Sequence, residues 1–303
     1  MAGTPGQLRV GLQSILNASL KSTTLTAYRT KMVTFQNFLG KNTHLITATT
    51  EHVALFLTHL HEKGLKSNTI QTYLSAISYH FKINSWPDIL KCPLITITMN
   101  GLKNLDGKQI LRKPITKPLL EKLLHALESI CQSHYDVQLY KAIFTTMFFA
   151  CLRAGEVCKA GSLQHVLLSK NIARLSSGYL LTLDSFKHSR NKTAIMKLSH
   201  NPDQSICPVL TLDSYSQVKS NTHFFFTQED GNVVNRYNLS LHLKNCLQLL
   251  NLPPSEFSLH SFRIGRTTEL VETASTEQLK LLGRWSSDAY KKYIRPEVVH
   301  LPY

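Results

Sequence analysis

Three apolar patterns of helical period follow one another between Ser22 and Phe81, each closed by a turn signal, and they restrict the first hundred or so residues to an all-helical bundle. In the first, Leu25, Tyr28, Met32, Phe35, Phe38 and Leu39 recur three or four apart behind the candidate N-caps Ser22 and Thr23, and the pattern stops at Gly40. The second starts near Thr50 and runs through Val53, Leu55, Phe56, Leu57 and Leu60 to Gly64. The third opens at Ser67, carries Ile70, Tyr73, Leu74, Ile77, His80 and Phe81, and ends around Asn84-Ser85-Trp86-Pro87. Ahead of them lies a Gly- and Pro-containing start that becomes weakly amphipathic from Leu8 to Leu16.

From Gly101 to Pro118 the chain mixes Gly, Pro, Lys and Arg without apolar period, which reads as a connection between domains. Helical spacing resumes from Lys117 (Leu119, Leu120, Leu123, Leu124, Leu127), followed by a strongly apolar helix from about Val137 to Cys151. β-formers then cluster at Leu163 to Leu168, Arg174 to Leu183 and Ala194 to Leu198, around turns at Ser176-Ser177-Gly178 and His188 to Lys192. Helices return at Leu210 to Val218, Tyr237 to Leu250 and from Ser261 onward. The expected fold class is therefore mainly α with a small antiparallel β-sheet, in two domains: residues 1–104, a linker at 105–118, and residues 119–303.

Charge narrows the partner. Lys and Arg outnumber Asp and Glu by 34 to 19, a net charge of +15, with the excess spread along the chain. A folded surface of this kind suits a polyanion, and double-stranded DNA is the expected partner. No apolar run is long enough to span a bilayer and no signal peptide or basic amphipathic anchor is evident, so a soluble intracellular protein without membrane association is expected. The six cysteines are scattered with no CxxC pair or Cys/His ligand spacing, and no Asp/Glu cluster could hold magnesium, so neither a metal nor another cofactor is expected.

The chemistry concentrates near the end of the chain. In Ser258-Leu259-His260-Ser261-Phe262-Arg263-Ile264-Gly265, His260 and Arg263 are three apart and share one helix face. About twenty residues on, Leu282-Gly283-Arg284-Trp285 and Tyr290-Lys291-Lys292-Tyr293-Ile294-Arg295 supply an indole donor and two phenols. A proton-transfer residue, a planar cation matched to phosphate oxygens and a tyrosine hydroxyl are what covalent phosphoryl transfer to tyrosine requires. Earlier, Arg153 follows an apolar helix directly, so it must be paired or face a ligand cavity, and Glu156 stands three residues on to hold it. The third helix begins Lys66-Ser67-Asn68-Thr69-Ile70-Gln71-Thr72, a polar first turn and a half suited to reading a groove or binding phosphate through free N–H groups.

Together these residues resemble the tyrosine recombinase (phage integrase) superfamily over almost the whole chain, and most of all its eukaryotic mobile-element members of the Crypton and DIRS type. The motifs HSFRIG and LGRWSSDAYKKYIR carry the resemblance, with LRAGE in the expected order. The resemblance implies an N-terminal helical SAM-like core-binding domain and an α+β catalytic domain. It implies an enzyme that cuts and rejoins DNA strands through a 3′-phosphotyrosine, without metal or ATP, as dimers on each site and tetramers in synapsis, nuclear if the source is eukaryotic. By matching motifs it assigns Arg153 and Arg263 to the phosphate, Lys187 to the hairpin lysine that protonates the leaving group, and His260 to the base. Trp285 falls at the position held by His or Trp, and Tyr293 at the nucleophile. Arg29, Lys31, Lys66, Asn68, Thr69, Gln71, Thr72 and Arg190 are the expected DNA contacts.

Three departures accompany the resemblance. The step from Trp285 to Tyr293 is eight residues, one shorter than in Cre or the Xer enzymes, which keeps Tyr290 as a second candidate nucleophile. Arg266, Glu269 and Glu272 stand where relatives often carry small residues, and only ten residues follow Tyr293, so a C-terminal exchange helix is expected to be short or missing. Two other functions fit the same residues: a domesticated, non-catalytic DNA-binding protein, and a topoisomerase-like nicking-closing enzyme.

Overall fold

The computed structural model describes residues 4–107, 111–186 and 192–295, and the chain divides into two compact units, Met1–Gln109 and Ile110–Tyr303.

The first unit is all helical: α1 (Pro5–Ala18), α2 (Ser22–Leu39), α3 (Thr50–Glu62), α4 (Ser67–Ile83) and α5 (Pro93–Leu105). Its core joins Phe35 of α2, Phe56 and Leu57 of α3, Ile70, Leu74, Ile77 and Phe81 of α4, and Ile95, Met99 and Leu102 of α5. The starts of α2 and α4 and the stop at Gly40 fall where the periodicity puts them. The last helix was not expected. Its Leu94-Ile95-Thr96-Ile97-Thr98 run is β-branched and a weak helix former, but Pro93 at its first position and burial of Ile95, Met99 and Leu102 at i, i+4 and i+7 against α3 and α4 override that preference. Asp106, just past α5, accepts the Ser67 backbone N–H at 2.8 Å and so caps α4 from 39 residues away.

In the second unit the segment read as a linker is partly structural. Lys113 and Ile115 donate backbone hydrogen bonds to the carbonyls of Glu256 and Ser261, and Ile115 is in the core. Then come α6 (Lys117–Ile130), α7 (His134–Phe149), the single turn α8 (Ala154–Val157), and an antiparallel sheet in the order β1 (Ile172–Leu175), β2 (Gly178–Leu183), β3 (Ala194–Ser199). The expected strand at 163–168 is not one. Leu167 instead donates to the Glu156 carbonyl and accepts from Phe225, and its stretch makes a single bridge, Leu168 to Phe224. Four helices complete the unit: α9 (Pro208–Val218), α10 (Arg236–Leu249), α11 (His260–Leu270) and α12 (Thr276–Gly283), followed by a 3-10 segment at Asp288–Tyr293.

The central helix is α7, buried on nearly every side from Tyr135 to Phe149 and packed against α6, α9 and α11. From Ala142 to Phe149 every residue is buried, so that half shows no polar stripe, whereas Asp136, Gln138 and Lys141 of the first half stay partly exposed. Gly265 lets α11 approach the 111–116 segment: a Cβ there would run into the Ile115 carbonyl. Among the described residues no helix is long and apolar enough to cross a membrane.

Candidate active site

The end of α7 makes the first wall. Cys151 takes a left-handed backbone (φ 50°), which non-glycine residues adopt at a cost of about 1–3 kcal/mol and which turns its carbonyl toward α11. The helix's last carbonyls carry the negative end of its dipole, a natural seat for cations. Arg263 on α11 donates to that Cys151 carbonyl and to the Gly283 carbonyl at the end of α12. The side chain is wholly buried, and burial holds its pKa below the usual arginine value. Its Nε has no partner among the described residues.

Two rings cover this guanidinium, Trp285 at 4.2 Å and Tyr293 at 5.5 Å from their centroids. The Trp285 and Tyr293 centroids are 5.0 Å apart, and the His260 ring is 4.8 Å from that of Tyr293. Thr268 fixes the segment by donating to the Tyr293 carbonyl (3.0 Å) and accepting from the Arg295 backbone N–H (3.2 Å). His260 keeps an open edge to solvent, yet the protein packed around its ring, and then the charges of Arg263, Arg153, Arg236 and Arg295, push its pKa down to about 4. The imidazole is neutral at physiological pH and free to accept a proton.

Arg153 enters from the start of α8. Its backbone N–H donates to Glu156 Oε2 (2.8 Å) and its guanidinium to Glu156 Oε1 (3.2 Å), while the side chain stays 21% exposed. His260, Arg263, Trp285 and Tyr293 are thus brought together, and Arg153, more than a hundred residues earlier in sequence, is close enough for its charge to lower the pKa of both His260 and Arg263. Tyr290 is not among them. It is buried, 6.2 Å from Trp285, with its hydroxyl 3.3 Å from that of Thr276. Lys187 and Arg190, with the hairpin turn that carries them, lie outside the described residues, as do the residues after Arg295. Of the extra charges, Glu269 binds Arg266 on its own helix and Lys117 of α6, and Arg266 lies over Phe148 and Phe149.

Three cations were missed by sequence reasoning. Arg236 and Arg295 bring charge to His260 from the start of α10 and from beyond the 3-10 segment. Arg284, one residue before Trp285, is buried against Glu156. No local signal marks it, because a cation in a polar stretch reads as surface.

In the first unit, Arg29, Lys66, Asn68, Thr69, Gln71 and Thr72 are all exposed, Arg29 on α2 and the others at the start of α4. Lys31 is half-buried, with Nζ 5.2 Å from the Tyr73 ring centroid. The expectation of free N–H groups at the start of α4 is corrected in part, because the Asp106 carboxylate already occupies the Ser67 N–H. No group of three or more His, Cys, Asp or Glu among the described residues is placed to hold a metal ion.

Residues 15–86 match the family model described as the phage integrase N-terminal SAM-like domain. No curated protein matches the chain in sequence. Solved structures similar to it include the XerH site-specific recombinase bound to palindromic difH substrate (17% identity, TM-score 0.62, covering 85% of this chain and 71% of that one). Another is the Tn1549 transposon integrase with circular intermediate DNA (14%, TM-score 0.67, 97% and 94%). A third is a lambda integrase tetramer bound to a Holliday junction (15%, TM-score 0.65, 98% and 79%). The fold is accordingly that of the tyrosine recombinases, a mainly helical architecture with a small antiparallel sheet. Its N-terminal part is an integrase-type SAM-like domain.

Proposed function

We propose that this chain is a site-specific DNA recombinase of a mobile element, of the Crypton or DIRS type, that cuts and rejoins strands through a 3′-phosphotyrosine. One observation carries the reading: the Tyr293 ring lies 5.5 Å from the Arg263 guanidinium and 4.8 Å from the ring of a neutral His260, which also feels the charge of Arg153. In this reading Arg153 and Arg263 neutralise the non-bridging oxygens of the scissile phosphate and the charge that grows on them in the transition state. His260 takes the phenolic proton as the Tyr293 oxygen attacks phosphorus. The phosphorus–5′-oxygen bond breaks, and Lys187 protonates that oxygen. The phosphotyrosine keeps the diester energy, so a second 5′-hydroxyl can displace Tyr293 without ATP or metal. Trp285 walls the site and offers its indole N–H.

Double-stranded DNA is the partner in this reading, with the exposed face of α2 and α4 contacting it, and dimers and tetramers the working assemblies. The DNA-bound state of the similar proteins and the net charge of +15 support it. The complete burial of Arg263 favours a second reading, a DNA-binding protein without chemistry.

A suicide duplex, nicked just 3′ of candidate cleavage positions and incubated in EDTA, separates the two. A denaturation-resistant protein–DNA adduct supports the recombinase. Tight, salt-sensitive binding with no adduct supports the non-catalytic binder.

A further inference from the structure

Arg284 makes five side-chain hydrogen bonds. It ends α12 in a left-handed conformation (φ 55°), and its guanidinium turns inward until the side chain is 2% exposed. Nη2 donates to Glu156 Oε2 at 2.7 Å and to the Cys151 carbonyl at 3.1 Å. Nη1 reaches the carbonyls of Leu282 (3.2 Å) and Ala150 (3.4 Å) and the Met196 sulfur on β3 (2.9 Å). The Phe186 ring, three residues past the end of β2, lies 5.9 Å away. One guanidinium therefore ties together the end of α7, the Glu156 that orients Arg153, strand β3, and the peptide leading into Trp285.

Glu156 is as buried as Arg284. Its Oε2 serves both the Arg284 guanidinium and the Arg153 backbone N–H, and its Oε1 serves the Arg153 side chain. A buried carboxylate needs a full counter-charge. Arg284 supplies it, so Arg153 lends one guanidinium N–H and its side chain stays 21% exposed. Arg284 also shares the Cys151 carbonyl with Arg263. Without Arg284, Arg153 would be drawn inward and that shared acceptor loosened.

We propose that Arg284 is a positioning residue which, by neutralising Glu156 and gripping the Cys151 carbonyl, sets Arg153 and Arg263 at the spacing a phosphate requires. This rests on the strand-transfer reading for its consequence, though not for its geometry. A lysine at this place keeps the charge but cannot span the carbonyls and the carboxylate together.

The test uses the full chain with Arg284→Lys, Arg284→Gln, Arg153→Ala and the double variant Arg153→Ala/Arg284→Lys. Single-turnover adduct formation, duplex affinity, thermal unfolding, and the NMR resonance of the Arg153 side-chain Nε–H are read for each. The expected result for Arg284→Lys is a folded protein with near-native affinity and adduct formation slowed about 100-fold, the scale of a misplaced catalytic group. The Arg153 resonance shifts, and the double variant is no slower than Arg153→Ala alone. Additive losses in the double variant, or an unmoved Arg153 resonance in a folded Arg284→Lys protein, would overturn the proposal. If the wild type forms no adduct, the strand-transfer reading falls, while the Arg153 resonance still decides the role of Arg284.

Discussion

The Arg263 guanidinium lies over the Trp285 indole, 4.2 Å from the ring centroid, and donates to the carbonyl of Gly283, two residues before that indole. One cation thus fixes the path of the chain out of α12, and the Tyr293 segment follows from it. Gly283 is required at that bend, because a Cβ there would collide with the Trp285 ring.

The two tyrosines should separate cleanly. Tyr293→Phe is expected to abolish adduct formation while binding and unfolding temperature stay near wild type. Tyr290→Phe should still form adduct, but with stability reduced by about 0.5–1.5 kcal/mol for want of its hydroxyl bond to Thr276. Loss of adduct with Tyr290→Phe alone would move the nucleophile.

The depressed pKa of His260 gives a pH signature. A base with a pKa near 4 stays competent well below the ordinary histidine value of about 6.5, so the acid limb of the adduct-formation rate should fall near pH 4. Since the folded pKa lies below the unfolded one, the unfolded chain binds more protons between these two values. His260 therefore contributes stability that is complete above about pH 6.5 and is lost as pH falls through that window toward 4. Urea midpoints of wild type and His260→Gln should diverge across it, and an acid limb centred at about 6.5 would exclude the depressed pKa of His260.

Gly265→Ala probes the approach of α11 to the 111–116 segment. The collision is with backbone, the Ile115 carbonyl, so neither side can rotate away. A loss of about 1–3 kcal/mol or more is expected, read as a lowered unfolding temperature. An unchanged unfolding temperature would mean that the two segments do not pack this closely.

On the first unit, Arg29→Ala and Lys66→Ala should each weaken duplex binding uniformly across sequences and lower the salt slope by about 0.9 for each phosphate no longer neutralised. Asn68→Ala and Gln71→Ala should instead alter sequence preference with little change in slope. Slopes equal to wild type in both lysine and arginine variants would remove this face of α2 and α4 from the interface.

Most helices were determined by sequence alone, because a helix that buries one side must repeat its apolar residues every three to four positions, as α2, α4 and α6 do. The paired motifs around His260, Arg263 and Tyr293 were equally legible, since their chemistry depends on residue type and short spacing. What only the tertiary structure decided are relations between distant residues. The weak helix former α5 is held by burial, Asp106 caps α4 across 39 residues, and the 163–168 stretch is drawn away from the sheet. Arg284 is the clearest case: a cation in a polar stretch reads as surface, and becomes a buried counter-ion only because the end of α7 and Glu156 converge on it. Local period fixes an element within a few turns of chain, whereas the partner of a buried charge is fixed by which elements pack together, and no local pattern records that.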